Sequence, residues 1–440
     1  MRENQCMTDA FIEGLERRVF PPGPVEAPLT AEVKAWLVGH EISFQLPPGS
    51  DAKHETLARS RNQDDARFTG VYDSSESNLY DREVPVATYI TYDRTLNVGA
   101  GRAVPARLIT GVGVRTEYQG RGILRRVMTD DLTQAQQEGL PVAALTATEG
   151  SLYERYGFGA ATFQRRVELD ARRARFRTGG EFDGRVRQIS RDVFEQIAAP
   201  TFDKFHARTL GSIGRAALTP AGMTGEFGFA QADLDSNPNR RFAAHVSPDT
   251  GEIDGYVAYV HTGWPGDPRI LNAVDIVAAD RAGYLALWHF LATQSLTDVI
   301  RFGHAAAADV LPWALTDARA YRVVAEDDLL WLRILDVERA LAERAWLTDG
   351  AITIRVADAL GLVDGTYRLQ ARAGRASVAR TSADADVEVD ASALASLYLG
   401  GVSVHQLLGT GLITATGADA IESLQRLFTT ATTPYTNTVF

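Results

Sequence analysis

The chain has 440 residues, 45% hydrophobic and 23% charged, which is a composition typical of globular proteins. This length exceeds one hydrophobic core and predicts about two to four domains. The net charge of −11 disfavours nucleic acid as a partner and favours cationic small molecules, although acidity can also serve solubility alone.

The cysteine and histidine content and the N-terminal residues indicate the cellular compartment and whether a metal site is expected. The single cysteine, Cys6, excludes an intramolecular disulfide framework and fits a reducing compartment, so we expect a cytoplasmic protein. The start, M-R-E-N-Q-C-M-T-D-A, shows no apolar signal region, and no run is long enough for a membrane span. The eight histidines show no ligand spacing, so we expect no metal site.

The first part of the chain is predicted to begin with a helical stretch and to continue with strands. Trp36 lies on an amphipathic stretch, where it either lines an acceptor pocket or packs in the core. The polar residues 47–65 predict a loop, since they include Pro, Gly, Ser and Asn. Residues 84–91 and 106–114 predict adjacent strands.

A loop with two glycines and an arginine follows the second of these strands. Gly120 and Gly122 let main chain approach a ligand closely, and apolar residues at helical spacing from Arg121 onward predict a helix that Gly139 ends. Free N–H groups at the positive end of a helix dipole form an anion site suited to a pyrophosphate. Arginine side chains add charge around it, namely Arg121, Arg125 and Arg126. The rival interpretation is a tight turn without a ligand, and neither a P-loop nor a Rossmann motif is present.

A second motif follows Pro141 and reads V-A-A-L-T-A-T-E-G-S-L-Y-E-R-Y-G-F-G. It predicts an apolar strand, a turn of small residues and a short helix that carries Tyr153. Together the two motifs place a phenol beside the reactive end of a phosphate-rich cofactor. This arrangement points to acetyl transfer from coenzyme A, with Tyr156 as the competing phenol.

The two motifs resemble those of GNAT N-acetyltransferases, in which a Q/R-x-x-G-x-G/A loop holds the coenzyme A pyrophosphate. Here the loop reads Gln119-Gly-Arg-Gly-Ile-Leu124, with Leu where the general pattern has Gly or Ala. Leu124 at this position and the motif from Glu149 to Gly159 together resemble the enhanced intracellular survival (Eis) branch of these enzymes. The segments Leu330–Val337 and Ser396–Gly401 extend the resemblance along most of the chain.

The resemblance implies acetyl-CoA as cosubstrate and a role for each matching residue. Tyr153 would act as the acid on the leaving thiolate, and the C-terminal carboxylate of Phe440 would accept the amine's proton. Thr148 and Glu149 would contact the pantetheine or acetyl end, although Glu149 could instead serve as a base or cap a helix. The remaining cofactor residues are Val112, Gly113 and Val114 along the pantetheine, and Gly120, Arg121, Gly122, Ile123, Leu124 and Arg125 at the pyrophosphate.

The expected fold combines α/β and α+β domains: tandem GNAT-like acyltransferase domains, then a sterol-carrier-protein-like α+β domain. The predicted boundaries are 1–177 with the acetyl-CoA site, 185–335 without one, and 336–440 ending in the active-site carboxylate. The middle domain repeats the strand and helix order of the first, but Asp280 stands at the matching loop and would repel a phosphate. Strands are predicted at 253–259, 271–278, 353–356, 366–369 and 385–390, and helices at 283–293, 391–399, 405–409 and 418–428.

The sequence therefore predicts an acetyl-CoA-dependent N-acetyltransferase that acts on amines of cationic small molecules, aminoglycoside-like or polyamine-like. One alternative is acetylation of lysine in proteins, and another is a binding or scaffolding protein that has lost activity. The resemblance also implies a homohexamer of paired trimers.

Overall fold

The computed structural model describes residues 7–12, 14–23, 28–76, 78–177, 185–228, 239–261 and 266–440. Cys6 and the predicted linker at 178–184 lie outside these residues. The strands, in chain order, are β1 (Met7–Ile12), β2 (Leu15–Phe20), β3 (Arg67–Asp73), β4 (Ala87–Gly99), β5 (Arg102–Val114), β6 (Val142–Thr146), β7 (Gly159–Ala160), β8 (Phe163–Asp170), β9 (Val186–Ile189), β10 (Arg241–Val246), β11 (Ile253–His261), β12 (Ile270–Ala278), β13 (Val299–Ala306), β14 (Tyr321–Asp328), β15 (Leu330–Ile334), β16 (Gly350–Ala357), β17 (Gly365–Arg372), β18 (Arg375–Arg380), β19 (Val387–Asp390) and β20 (Ile413–Ala415).

The helices of the described residues are α1 (Ala31–Ser43), α2 (Asp51–Gln63), α3 (Ile123–Gln137), α4 (Gly150–Glu154), α5 (Arg191–Arg208), α6 (Thr219–Thr224), α7 (Arg281–Ala292), α8 (Leu311–Ala314), α9 (Val337–Glu343), α10 (Ala391–Leu397), α11 (Val404–Leu407) and α12 (Ala418–Phe428). None of them is long and apolar enough to cross a membrane.

The first sheet has eight strands in the order β1-β2-β3-β4-β5-β6-β15-β7. All neighbours are antiparallel except β5 and β6, which α3 connects. Helix α3 buries its apolar stripe on one face of this sheet, whereas α1 packs on the other face through Trp36 and Leu37. As predicted, α3 ends beside Gly139, whose φ of 80° is the left-handed conformation that favours glycine.

Two predictions for the first part of the chain were wrong. The described chain begins with the β1–β2 hairpin rather than with a helix, and Met7 pairs with Val19 across it. Residues 47–65 contain α2 rather than only a loop, and Ser50 caps this helix by accepting a hydrogen bond from the Lys53 main-chain nitrogen. Three of the five buried residues of α2 are polar; the five are His54, Leu57, Ala58, Ser60 and Arg61. The sequence of α2 therefore lacks the apolar spacing from which a helix is predicted.

The second sheet has seven strands in the order β14-β8-β13-β12-β11-β10-β9, and β12 and β13 form its parallel pair. Each of the first two sheets contains a strand from the part of the chain that mainly forms the other sheet. Strand β15 lies between β6 and β7 of the first sheet, while β8 lies between β13 and β14 of the second. The two units are therefore interlocked, and the predicted boundaries between domains stay predictions. The strands predicted at 253–259 and 271–278 and the helix predicted at 283–293 form as β11, β12 and α7.

The third sheet has the order β18-β17-β16-β19-β20, with β16 and β19 parallel. Its predicted strands all form, and the three predicted helices form as α10, α11 and α12. Helix α12 packs on β16 through Leu424, Leu427 and Phe428, which are almost completely buried. Residues 429–440 then leave this domain without further helix or strand.

Candidate active site

The first sheet opens between β5 and β6. In the described chain, the ladder between these parallel strands runs from Ala106–Val142 to Ile109–Leu145, whereas β5 continues to Val114. A bulge at Gly111, with a φ of 60°, turns this end of β5, and the Thr88 hydroxyl donates to the Gly111 carbonyl. The main chain of residues 112–114 thus lines a gap that an extended ligand can enter.

The glycine loop leads directly to the start of α3. Gly120 and Gly122 have φ of 74° and 79°, and a Cβ atom at either position would meet nothing within 4 Å. Gly122 is the N-cap residue and supplies no side-chain hydrogen bond to the helix, whose first main-chain bond runs from Arg126 to Gly122. The N–H groups of the first turn of α3 therefore have no side-chain cap, which leaves them available to an anion.

Apolar residues beside the glycine loop line a small cleft, and three arginines lie in or just after the loop. A small cleft where β4, β5 and α3 meet is lined by Gly113, Val114, Ile123 and Leu124 among others. Arg121, Arg125 and Arg126 are all exposed, and two of them also contact other residues of the protein. Arg121 lies over the Tyr118 ring and donates to the Glu117 carbonyl, and Arg126 pairs with Asp130.

Tyr153 lies in α4, directly after β6. Its side chain is buried and packs edge-on against Phe158, with 6.3 Å between ring centroids. Burial and the nearby Glu149 carboxylate raise the pKa of Tyr153 to about 12, against the smaller opposing effect of a hydrogen bond with Thr148. The phenol is therefore protonated at neutral pH. Glu149 is the N-cap residue of α4, but its side chain makes no capping hydrogen bond.

Tyr156 lies in the turn that follows α4, and its main-chain nitrogen donates to the Tyr153 carbonyl. Burial also raises the pKa of Tyr156, while the charges of Arg155 and Arg125 oppose that rise. Both phenols are almost fully buried in the same core cluster. Only Tyr153 has direct interactions with Thr148 and Glu149 at the end of β6.

Phe440 reaches the same strand end. The Thr146 hydroxyl donates a hydrogen bond of 2.9 Å to the O atom of Phe440. The Phe440 ring packs edge-on against Tyr92, with 6.4 Å between centroids. Thr146 ends β6, so Phe440 lies at the strand end from which α4 and Tyr153 follow. Sequence reasoning missed both Thr146, which lies within the second motif, and Tyr92, because their contacts with Phe440 join residues far apart in the chain.

Trp36 occupies a core position. Its side chain is fully buried, stacks on Phe68 at 4.3 Å between centroids, and donates to the Thr69 carbonyl. The His40 ring is also stacked with Trp36, with 5.6 Å between centroids. This position matches the core-packing alternative, and contact between Trp36 and an acceptor stays a prediction.

The matching helix of the second sheet has a closed N-terminus. Asp280 is the N-cap residue of α7, and its side chain accepts a hydrogen bond of 2.9 Å from the Gly283 main-chain nitrogen. A carboxylate thus occupies the place that is open at Gly122 of α3. Across the residues that the structure describes, no group of three or more His, Cys, Asp or Glu side chains could hold a metal ion.

Family models match the chain in three places. Acetyltransferase (GNAT) domains match residues 30–161 and 228–334, and a sterol carrier protein domain matches residues 337–437. These three matches follow the three sheets in order and correspond to the predicted fold class.

Known proteins resemble the chain over most of its length. An uncharacterized N-acetyltransferase of Streptomyces griseus is 32% identical over 385 residues, covering 85% of this chain and 91% of the relative. The N-acetyltransferase Eis of Mycobacterium tuberculosis is 28% identical over 352 residues, covering 78% and 83%. The crystal structure of Eis1 from Mycobacterium abscessus superposes with a TM-score of 0.77 at 27% identity, covering 93% of this chain and 98% of that one. The chain is therefore an N-acetyltransferase and belongs to the Eis family of GNAT enzymes.

Proposed function

We propose that this enzyme transfers the acetyl group of acetyl-CoA to an amine of a cationic small molecule, aminoglycoside-like or polyamine-like, at one or several positions. The amine attacks the thioester directly, Tyr153 acts as the acid and the carboxylate of Phe440 acts as the base. The hydrogen bond between Thr146 and Phe440 is the observation that carries this mechanism, because it brings the terminal carboxyl group to the strand end where α4 begins.

The binding of acetyl-CoA is assigned to the gap and the glycine loop. Main chain at Val112, Gly113 and Val114 would bind the pantetheine in the manner of an added strand, since β5 lacks its β6 partner there. The pyrophosphate would lie on the N–H groups of residues 120–125, where the helix dipole favours negative charge. Thr148 and Glu149 would then border the acetyl end, because they follow β6 directly.

Tyr153 suits the role of acid because its phenol holds a proton at every physiological pH. A thiolate leaving from the thioester would take that proton or a hydrogen bond from the hydroxyl. Burial of the side chain limits competition from water for the same hydroxyl. This interaction exists only once the sulfur gains charge, so it accelerates the step without tightening substrate binding.

Phe440 suits the role of acceptor because an α-carboxyl group has a pKa of roughly 3.3–3.7 and is ionised at neutral pH. Most of a primary amine is protonated at neutral pH, so a proton must leave before or during attack. The weak basicity of a carboxylate favours transfer through a bound water rather than direct abstraction. The Thr146 hydroxyl donates to one oxygen at this chain end and so helps to fix its position.

The net charge of −11 supports a cationic acceptor, because an acidic field raises the local concentration of amines. A protein lysine is the second candidate acceptor, and the same residues would serve it. The proposal includes a homohexameric assembly and a cytoplasmic location, the first of which light scattering after gel filtration would test.

The test is a thiol-release assay with acetyl-CoA against a panel of amines. The panel contains an aminoglycoside, a linear diamine, a peptide with one lysine and the same peptide with its lysine acetylated. Turnover with the first two and none with either peptide supports the proposal. Turnover with the lysine peptide alone replaces it with protein acetylation, and binding of acetyl-CoA without turnover on any amine favours a non-catalytic role.

A further inference from the structure

The C-terminal tail, residues 429–440, crosses the second sheet before it reaches β6. The Tyr435 main-chain nitrogen donates to the Leu210 carbonyl at 2.8 Å, and the Tyr435 hydroxyl donates to the carbonyl of His304. Pro434 packs so closely on Gly211 that a Cβ atom there would lie 2.8 Å from the proline ring. The tail is therefore seated on the unit that lacks the glycine loop.

Asn437 is a buried polar side chain of this tail. It is 5% exposed, and its Nδ2 donates to Asp275 Oδ1 at 2.8 Å and to the Ile276 carbonyl at 3.3 Å. Next to it, the Thr438 hydroxyl donates to the Ile213 carbonyl at 3.1 Å. Both partners of Asn437 belong to β12, so the second sheet fixes the chain three residues before Phe440.

Asp275 is itself held rigidly. Two nitrogens of Arg215 donate to its two oxygens at 2.8 and 2.9 Å, and the Tyr256 hydroxyl donates to the same carboxylate at 2.9 Å. Arg215 also lies over the Phe202 ring, 4.2 Å from its centroid. A buried pair of this kind is costly to break, because removal of one partner leaves an uncompensated charge. It therefore offers Asn437 an acceptor in a fixed position.

We propose that Asn437 is a positioning residue for acetyl transfer, and that the Asp275–Arg215 pair of the second GNAT-like unit holds the tail so that the Phe440 carboxylate reaches the end of β6. This inference rests on the proposed role of Phe440. Three residues span at most about 10 Å, so an anchor at Asn437 keeps the Phe440 carboxylate within a short distance of β12 and restricts where it can lie. The unit without a phosphate-binding loop thereby serves the reaction of the other unit.

The test compares two single variants of the enzyme with a double variant in which the amide and the carboxylate change places. Asn437→Asp places a second carboxylate against Asp275 with almost no change of shape, and Asn437→Leu removes the donor without adding charge. The double variant Asn437→Asp with Asp275→Asn returns one carboxylate and one amide to the same place. Thr433→Ala, at an exposed residue of the same tail, is the matched control.

Three readouts are needed, namely kcat, the Kd for acetyl-CoA and amide hydrogen exchange of residues 435–440. Both single variants are expected to lower kcat by about 100-fold, to keep the Kd within about twofold and to speed exchange of the tail. The double variant is expected to raise kcat at least about tenfold above that of Asn437→Asp. Its amide hydrogens in the tail are expected to exchange more slowly again. Thr433→Ala should match the unaltered enzyme in every readout.

The outcomes separate this inference from the proposed function. Unchanged tail exchange together with unchanged kcat in both single variants would overturn the anchoring role of Asn437. Rapid tail exchange with unchanged kcat would retain the anchor but refute Phe440 as the base, and with it the catalytic part of the inference. Loss of kcat that the charge exchange restores, with acetyl-CoA binding intact throughout, supports both.

Discussion

The hydroxyl of Thr146 donates to the O atom of Phe440, although 294 positions separate the two residues in the chain. Thr146 ends β6, and Tyr153 follows in α4 after one short turn. A strand of the first sheet, its following helix and the C-terminal tail thus meet in one place. The proposed acid and the proposed base therefore approach the reaction from parts of the chain that fold in different domains.

The first prediction concerns the chain end. Residues added after Phe440, such as a C-terminal tag, replace the carboxylate with an amide and move the charge away. Deletion of Phe440 leaves a carboxylate one residue short. Both variants are expected to lose about 100-fold or more in kcat, the usual contribution of a general base, while acetyl-CoA binds normally. The thiol-release assay and calorimetry measure the two effects.

The same tag at the N-terminus is the control and should leave kcat unchanged. Full activity in the C-terminally tagged enzyme would contradict the proposed role of Phe440. Glu149 would then be the next base to test, because its carboxylate acts on the pKa of Tyr153 and makes no capping bond to α4.

The second prediction separates the two phenols. Tyr153→Phe removes one oxygen and is expected to lower kcat by about 100-fold while the Kd for acetyl-CoA stays constant, since the lost interaction forms only in the transition state. Tyr156→Phe removes the same atom beyond the end of α4 and should change kcat by less than about threefold. Steady-state kinetics of the matched pair decide the assignment, and reversed effects would transfer the role of acid to Tyr156.

The third prediction concerns pH. Because the pKa of Tyr153 is raised to about 12, the phenol keeps its proton throughout the usual assay range. The rate is therefore expected to rise with pH as the acceptor amine loses its proton, and to show no descending limb between about pH 7 and pH 10. A fall in kcat near pH 10 that disappears in Tyr153→Phe would contradict the raised pKa.

Local features of the site could be predicted from the sequence. The sequence predicted that main chain at Gly120 and Gly122 either approaches a ligand closely or forms a tight turn, and their φ values of 74° and 79° are ones that favour glycine. The apolar spacing of α3 and its end beside Gly139 were equally readable, because each depends only on residues within a few turns. The strands of the third domain follow the same rule.

Features that depend on distant partners could not be predicted. Helix α2 was not predicted because its buried face carries two polar side chains. His54 contacts Glu41 of α1, and Arg61 contacts Asp64, the residue that directly follows the helix. The exchange of β8 and β15 depends on which strands pair in three dimensions, and their own residues do not encode it. The contact of Phe440 with β6 required the whole path of the tail, including the seat of Asn437 on β12.

The fourth prediction tests the glycine loop. Gly122→Asp puts a negative side chain where the pyrophosphate is expected, and it is expected to weaken acetyl-CoA binding by about 100-fold or more with the fold intact. Gly122→Asn is the matched control, because Asn has nearly the same shape, carries no charge and tolerates the left-handed conformation. The control should lose far less affinity. Calorimetry measures both, and equal losses would mean that backbone strain rather than charge explains the effect.

The fifth prediction concerns the helix that corresponds to α3 in the second unit. Asp280 closes the N-terminus of α7 through its bond to the Gly283 nitrogen, so this helix offers no place for a phosphate. Titration is therefore expected to give one acetyl-CoA per chain.

Removal of the cap tests that conclusion, because Asp280→Ala opens the N-terminus of α7 without creating a glycine loop. The change is expected to lower the free energy of unfolding by about 1 kcal/mol and to leave one acetyl-CoA bound per chain. Asp280→Asn keeps an oxygen that can accept the same hydrogen bond, so its stability should stay within a few tenths of a kcal/mol of the unaltered enzyme. Thermal denaturation and calorimetry measure the two quantities. A second acetyl-CoA bound to the unaltered enzyme, and lost on Gly283→Asp but not on Gly122→Asp, would show that the second unit has kept a cofactor site.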